Sequence, residues 1–311
     1  MNSLIFSFST IFPLFMMLSI GYGVKSLKWI SEKAIKEMNQ VCFKVFLPMS
    51  LFINVYHSKF STEEIPLILF AVGAVVLSFI LILGFVNYSK QTRNRKGVLV
   101  QGMFRSNYIL FGLPLAISFF GENNTGATAM LIAIIVPLYN MLSILVLQIY
   151  QEKAVDLKSV IIGSLKNPLI LGSLAAFSCI LLSIQIPKFL LSGLNDIGRA
   201  ATPLALMLLG ASFEFKKVAH NIKELLLVVL VKLVVLPSIV VACAIALGFT
   251  NEALVALLAM SASPTAVSSY TMAQSMGMDD ELAGQIVVTT TILCIITLFL
   301  WITLLKQGQI V

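Results

Sequence analysis

The sequence predicts an all-α integral membrane protein: ten transmembrane helices forming two inverted five-helix repeats, with helices four and nine broken. Three observations predict it. The 311 residues are 59% hydrophobic and only 11% charged, where a soluble domain carries about 25% charge, and the mean hydropathy is +0.98. Several matched positions recur at one constant spacing in the two halves. Helix-interrupting residues cluster in runs four and nine, which are partners under that repeat.

Ten apolar runs are readable, at 4–24, 35–56, 65–87, 97–120, 126–149, 167–186, 188–212, 223–248, 252–276 and 283–304. Each approaches the roughly 20 residues that a spanning helix needs. The first run has no positive flank and no small-residue cleavage site, and it belongs to the repeat, so it reads as helix one rather than a signal peptide. The loops between runs are too short to hold a soluble domain.

Charge orients the spans. Lys25, Lys28, Lys33 and Lys36 share one loop region; Lys90, Arg93, Arg95 and Lys96 the next on that side; then Lys153, Lys158 and Lys166; then Lys216, Lys217 and Lys223. The opposite side holds Lys59, Lys188 and Lys306. The positive-inside rule puts the first set in the cytoplasm and both termini outside, in a multi-pass protein of the cytoplasmic membrane. The acidic loop 278–281 is cytoplasmic in this scheme, which the rule tolerates because carboxylates count little in it. The net charge of +7 is thus a topology signal, and no nucleic-acid partner is expected.

The repeat has an offset of 155 residues. Pro13 matches Pro168, Pro48 matches Pro203, Leu99 and Val100 match Leu254 and Val255, and Lys44 matches Arg199. Residues 1–150 form the first repeat, 151–166 a cytoplasmic link and 167–311 the second. Five spans per half is an odd number, so the second half enters the membrane upside down, as in many secondary transporters.

Run four contains Arg105, Ser106 and Asn107, then Gly112 and Pro114; run nine contains Ser261, Ser263, Pro264 and Thr265. Proline removes a backbone donor and clashes with the carbonyl four residues back. Serine, threonine and asparagine can bond the groups so released. Unwound backbone at membrane depth must be covered by protein or line a cavity, and paired interruptions point to a transporter's binding site. Small polar residues also glue membrane helices together. That reading suits a lone Ser or Thr better than it suits Asn107 beside Arg105.

Lys44, Arg105, Asp196, Arg199 and Lys232 fall well inside the runs. Asp196 and Arg199, three apart, are expected to pair. Three cations then lack a buried carboxylate, which suits an anionic substrate. Snorkelling to the interface accounts for Lys44 and stays open for Arg105. It accounts poorly for Lys232, about nine residues into its run and roughly 14 Å deep at 1.5 Å per residue. A charge there costs at least ~2.5 kcal/mol on insertion scales. No carboxylate-based proton or sodium site is visible in runs three to five or eight to ten. The cysteines Cys42, Cys179, Cys243 and Cys294 lie in apolar runs without metal-type spacing, and His57 and His220 form no cluster. No cofactor or metal is expected.

Five segments carry a family resemblance: "RSNYILFGLPLAISFFG" (105–121), "VPLYNMLSI" (136–144), "KNPLILGSLAAF" (166–177), "TPLALMLLGASF" (202–213) and "SASPTAVSSYTMA" (261–273). With them the chain resembles the auxin efflux carrier family over nearly its whole length, in the form of a minimal bacterial permease. The resemblance implies that helices four and nine cross at their breaks. It also implies a scaffold of helices one, two, six and seven, a moving transport domain of helices three to five and eight to ten, a homodimer, and an elevator motion carrying small organic anions. Asn107 falls on the asparagine of the helix-four crossing, Pro264 on the helix-nine proline, and Asn140 on a polar position of helix five facing the crossing. Plant members have proline before that asparagine; Ser106 stands there instead, which implies a milder break resting on Asn107 and Gly112.

The function expected is a secondary permease for mono- or dicarboxylates, with Arg105, Ser106, Asn107, Asn140, Ser263, Pro264, Thr265 and Lys232 at the substrate and Gly112, Pro114 and Pro264 breaking the helices. The competing reading is a non-transporting membrane sensor or scaffold with a carboxylate pocket. Absent HExxH, P-loop and paired-carboxylate patterns argue against an enzyme or ATP-driven pump.

Overall fold

The computed structural model describes residues 2–57, 65–120, 126–151, 166–213 and 221–307. The link 151–166 lies outside the described residues except at its ends, as do Lys59, Lys216, Lys217 and His220. All regular structure among the described residues is helical.

Each apolar run is helical in whole or in pieces. Helix α1 is Asn2–Ser26; α2 (Glu32–Val41) passes through a π turn (Cys42–Phe46) into α3 (Leu47–Tyr56); α4 is Ile65–Asn87. Run four is two helices, α5 (Arg93–Phe104) and α6 (Tyr108–Phe120). Then come α7 (Gly126–Ile149), α8 (Pro168–Leu181) and α9 (Lys188–Ser212). Run eight is α10 (Ile222–Leu230), a second π turn (Val231–Val235) and α11 (Leu236–Ala246). Run nine is again divided, into α12 (Asn251–Ala262) and α13 (Ser268–Ser275), and α14 (Asp280–Gln307) follows. Among the described residues, five stretches are long and apolar enough to cross a bilayer: Glu32–Tyr56, Ile65–Asn87, Gly126–Ile149, Ile222–Ala246 and Asp280–Gln307. The halves of runs four and nine are individually too short, because breaks divide them.

Local sequence sets the boundaries. Ser31 Oγ accepts the Ala34 N–H at 3.2 Å and caps α2, satisfying one orphan donor of the first turn. Asn167 Oδ1 does the same for Leu169 N–H at 3.0 Å, with Pro168 in the first turn of α8, where its missing donor costs nothing. Both π turns precede a Leu-Pro pair. The rings of Pro48 and Pro237 would crowd the carbonyl four residues back. Widening the turn relieves this, and the N–H groups of Leu47 and Leu236 reach Cys42 O and Val231 O instead.

The core is built around the broken helices. Every residue from Gly97 to Phe104 in α5 and from Leu254 to Ala262 in α12 is buried, with α7, α13 and α14 packed around them. By contrast α4, α10 and α11 turn Leu69, Leu77, Leu81, Leu226, Leu230 and Ile239 outward. So much exposed apolar side chain suits lipid rather than water. A second packing group forms where α1 crosses α9 and α3 lies along α8. A Cβ at Gly21 would collide with the Met207 carbonyl, and one at Gly210 with that of Leu18. At Gly172 it would lie 2.6 Å from Pro48 O. Glycine lets these backbones approach.

The expected Asp196–Arg199 pair does not form. Both side chains are exposed, and no ion pair joins them among the described residues. An exposed pair of this kind gains little over its separated partners. Lys44 is exposed on its π turn, the placement that snorkelling requires.

Candidate functional site

Residues 105–107 and 263–267 are the two breaks, and they touch: the Asn107 N–H donates to Pro264 O at 2.8 Å. Gly112 and Pro114 do not break the helix as expected. Helix α6 runs from Tyr108 to Phe120 through both. Gly112 instead makes room for an aromatic ring, since a Cβ there would sit 2.7 Å from Tyr108 Cε2. The side chain of Pro114 lies outside the described residues. The chain leaves the helix at Arg105, whose backbone is extended at φ −78° and ψ 135°. Ser263 follows suit at φ −64° and ψ 150°.

Unwinding leaves carbonyls without partners at the ends of α5 and α12, and polar side chains meet them. Thr265 Oγ1 donates to Gly102 O at 2.8 Å, while its own N–H donates to Thr290 Oγ1 of α14 at 3.2 Å. Lys232 Nζ donates to Ser261 O at 2.8 Å and to Ser106 Oγ. Ser263 Oγ turns back onto its own helix, donating to Ala259 O.

Arg105 is 2% exposed. One guanidinium nitrogen donates to Asn140 Oδ1 and, at 2.6 Å, to Ser268 Oγ. A second lies against Met272 Sδ. Asn140 is held for this task by donating its Nδ2 to Val136 O at 2.9 Å, one turn back on α7. Every one of these Arg105 partners is neutral. Neither Arg105 nor Lys232 has a carboxylate partner among the described residues. The Asn107 Nδ2 is buried and has no partner among the described residues.

A cleft of about 620 Å³ lies beside the crossing. Arg105, Ser106, Asn107, Asn140 and Ser268 line it, together with Ser50 of α3 and Thr202 of α9. The expected site therefore divides. Arg105, Ser106, Asn107 and Asn140 come together at the cleft. Ser263, Pro264 and Thr265 hold the crossing from behind, and Lys232 lies on its far side, lining a small gap with Val75, Tyr139 and Ser261. Ser268, Ser50 and Thr202 escaped the sequence reading. Ser268 sits within the "SASPTAVSSYTMA" segment, so its motif was visible though its orientation was not. Thr202 likewise opens the "TPLALMLLGASF" segment, while nothing local marks Ser50.

The cleft shares Ser50, Ile109, Leu110 and Thr202 with a larger cavity of about 1120 Å³, lined by Asn54, His57 and Arg199. At the other end a cavity of about 1220 Å³, lined by Lys25, Glu32 and Asp280, shares no residue with the cleft. In the lining of that second cavity Tyr270 OH donates to Ser212 Oγ. Among the described residues the cleft thus shares its lining with the first of these cavities and not with the second. Chemically, a planar guanidinium, a free amide donor and the N-terminal end of α6 converge where a carboxylate could replace the neutral acceptors.

Two comparisons bear on this arrangement. The membrane transport protein family matches residues 6–302. An uncharacterized transporter of Methanocaldococcus jannaschii is 23% identical over 299 residues, covering 92% of this chain and 95% of that relative.

Proposed function

Since this chain belongs to the membrane transport protein family, the auxin efflux carrier family whose motifs its sequence carries, we propose that this multi-pass permease moves small organic anions, mono- or dicarboxylates, by alternating access. The observation that carries the substrate class is Arg105, a buried cation with neutral partners only, beside the unpartnered Asn107 Nδ2. The carboxylate takes one guanidinium edge and the Asn107 amide. Ser106, Asn140 and Ser268 shape the cleft, and Ser263, Pro264, Thr265 and Lys232 hold the crossing.

Ten spans in two inverted repeats, 1–150 and 167–311, are supported by the packing. Under the exchange of helix one with six and two with seven, the α1–α9 crossing becomes the α8–α3 contact, and each is closed by glycine against backbone. An elevator motion of helices three to five and eight to ten against helices one, two, six and seven is supported by the cleft, whose lining is drawn from both groups. A scaffold-mediated homodimer in the cytoplasmic membrane, with both termini outside, completes the proposal. For a monoanion leaving a negative-inside cell, the membrane potential supplies about 2.3 kcal/mol per 100 mV.

The test is Asn107→Ala. A hydrogen bond to a charged group contributes about 1.5–3 kcal/mol, so affinity for the carboxylate bound by the wild type should fall roughly 10- to 100-fold in detergent, with the fold intact. Unchanged affinity removes Asn107 from the site. Saturable flux in proteoliposomes supports a permease, binding without flux favours the sensor, and flux that never saturates favours a channel.

A further inference from the structure

Lys232 is the buried charge that the cleft does not use. It is fully buried in the second π turn, and two neighbours meet its ammonium. Ser106 Oγ belongs to the first break, and Ser261 O, at 2.8 Å, belongs to the last turn of α12 just before the second break. The widened turn ahead of Pro237 positions this side chain.

The electrostatics of that position are specific. A helix C-terminus carries the equivalent of about half a negative charge. Helices α5 and α12 both end at the crossing, at Phe104 and Ala262. In transporters built from broken helices, unwound carbonyls and half-helix C-terminal ends are where coupling cations bind. A hard alkali cation takes oxygen ligands. Here a hydroxyl and a main-chain carbonyl are those oxygens, and no group of metal-binding side chains forms among the described residues.

We propose that the Lys232 ammonium is a tethered substitute for a coupling cation: it holds the two breaks together and makes the crossing independent of sodium. Lys232 is then a positioning residue. It does not itself line the cleft and acts through Ser106, the neighbour of Asn107. The inference rests on the anion-permease reading for its consequence in transport, but not for its test.

That test is thermal unfolding of the purified full chain in detergent, in the chlorides of sodium, potassium, N-methylglucamine and ethylammonium. The wild type should melt at one temperature in all four. Lys232→Ala, which leaves a gap shaped for a small amine, should melt several degrees lower in N-methylglucamine and recover in ethylammonium. Lys232→Met fills the gap without a charge, so it should melt lower and not recover. Three outcomes overturn the proposal: a wild-type midpoint raised by sodium alone, a Lys232→Ala midpoint equal to wild type in N-methylglucamine, or equal ethylammonium recovery in both variants. Should Lys232→Ala fail to fold, the wild-type cation series and Lys232→Met still decide. If no carboxylate is transported under any condition, the permease reading fails while the melting series still decides the role of Lys232.

Discussion

Arg105 and Lys232 are both buried, both cationic and both held by neutral groups, yet they do different work. The difference lies in what each side chain faces. Arg105 presents a planar fork to a cleft, sharing it between Asn140 and Ser268, and these acceptors can yield to a carboxylate. Lys232 does not line the cleft and donates instead to Ser106 and Ser261 O. Arg105→Lys tests the first role. Lysine keeps the charge but presents a point donor without the fork, so carboxylate affinity should fall about tenfold. Arg105→Gln, which removes the charge, should cost roughly 100-fold or more on the same scale. Equal affinities for the two variants in a binding titration would mean that charge plays no part in recognition.

At the scale of elements, interruption has three forms here, and each has its own cause. The π turns relieve proline crowding at Pro48 and Pro237 while the helix continues. The breaks at 105–107 and 263–267 end one helix and start another, with Thr265 and Lys232 satisfying the carbonyls released. The close crossings of α1 with α9 and of α3 with α8 keep regular helices and remove side chains instead. Gly21 and Gly23 separate this last effect from helix propensity. A Cβ at Gly21 meets the Met207 backbone, whereas one at Gly23 meets nothing within 4 Å. Gly21→Val should therefore lower stability by about 1–3 kcal/mol, the range for overpacking, while Gly23→Val should not. Melting of both variants in detergent is the check, and equal loss would assign the effect to the helix itself.

For the whole molecule, the cleft shares lining residues with the cavity near His57 and Arg199 and, among the described residues, none with the one near Lys25 and Asp280. The proposed elevator would reverse this by sliding α13 past α2. In this conformation Asn39 Nδ2 of α2 donates to Thr271 O of α13 at 3.3 Å. Joining Asn39→Cys to Thr271→Cys with a short bis-maleimide, in a background lacking the four native cysteines, should stop proteoliposome flux. Each single variant should retain it. Flux that survives the crosslink would exclude motion between these elements as the transport step.

The sequence by itself determined the membrane class, the helical runs, the neighbourhood of both breaks and the surplus of buried cations. These are local properties: composition, periodicity and the chemistry of proline, serine and asparagine act within a few residues of chain. It also placed Asn107 and Asn140 near the crossing, by resemblance. Only the tertiary structure decided which polar groups face the cleft and which brace it from behind. Ser268 reaches Arg105 across 163 residues of chain, and Thr265 reaches Gly102 across the same separation. Gly112 and Pro114 looked like breakers because such residues weaken an isolated helix, but α6 carries both within a packed core. The reason is physical. Helix formation in lipid is enforced by the need to satisfy every backbone group, so a chain leaves the helix only where another part of the fold offers replacement partners.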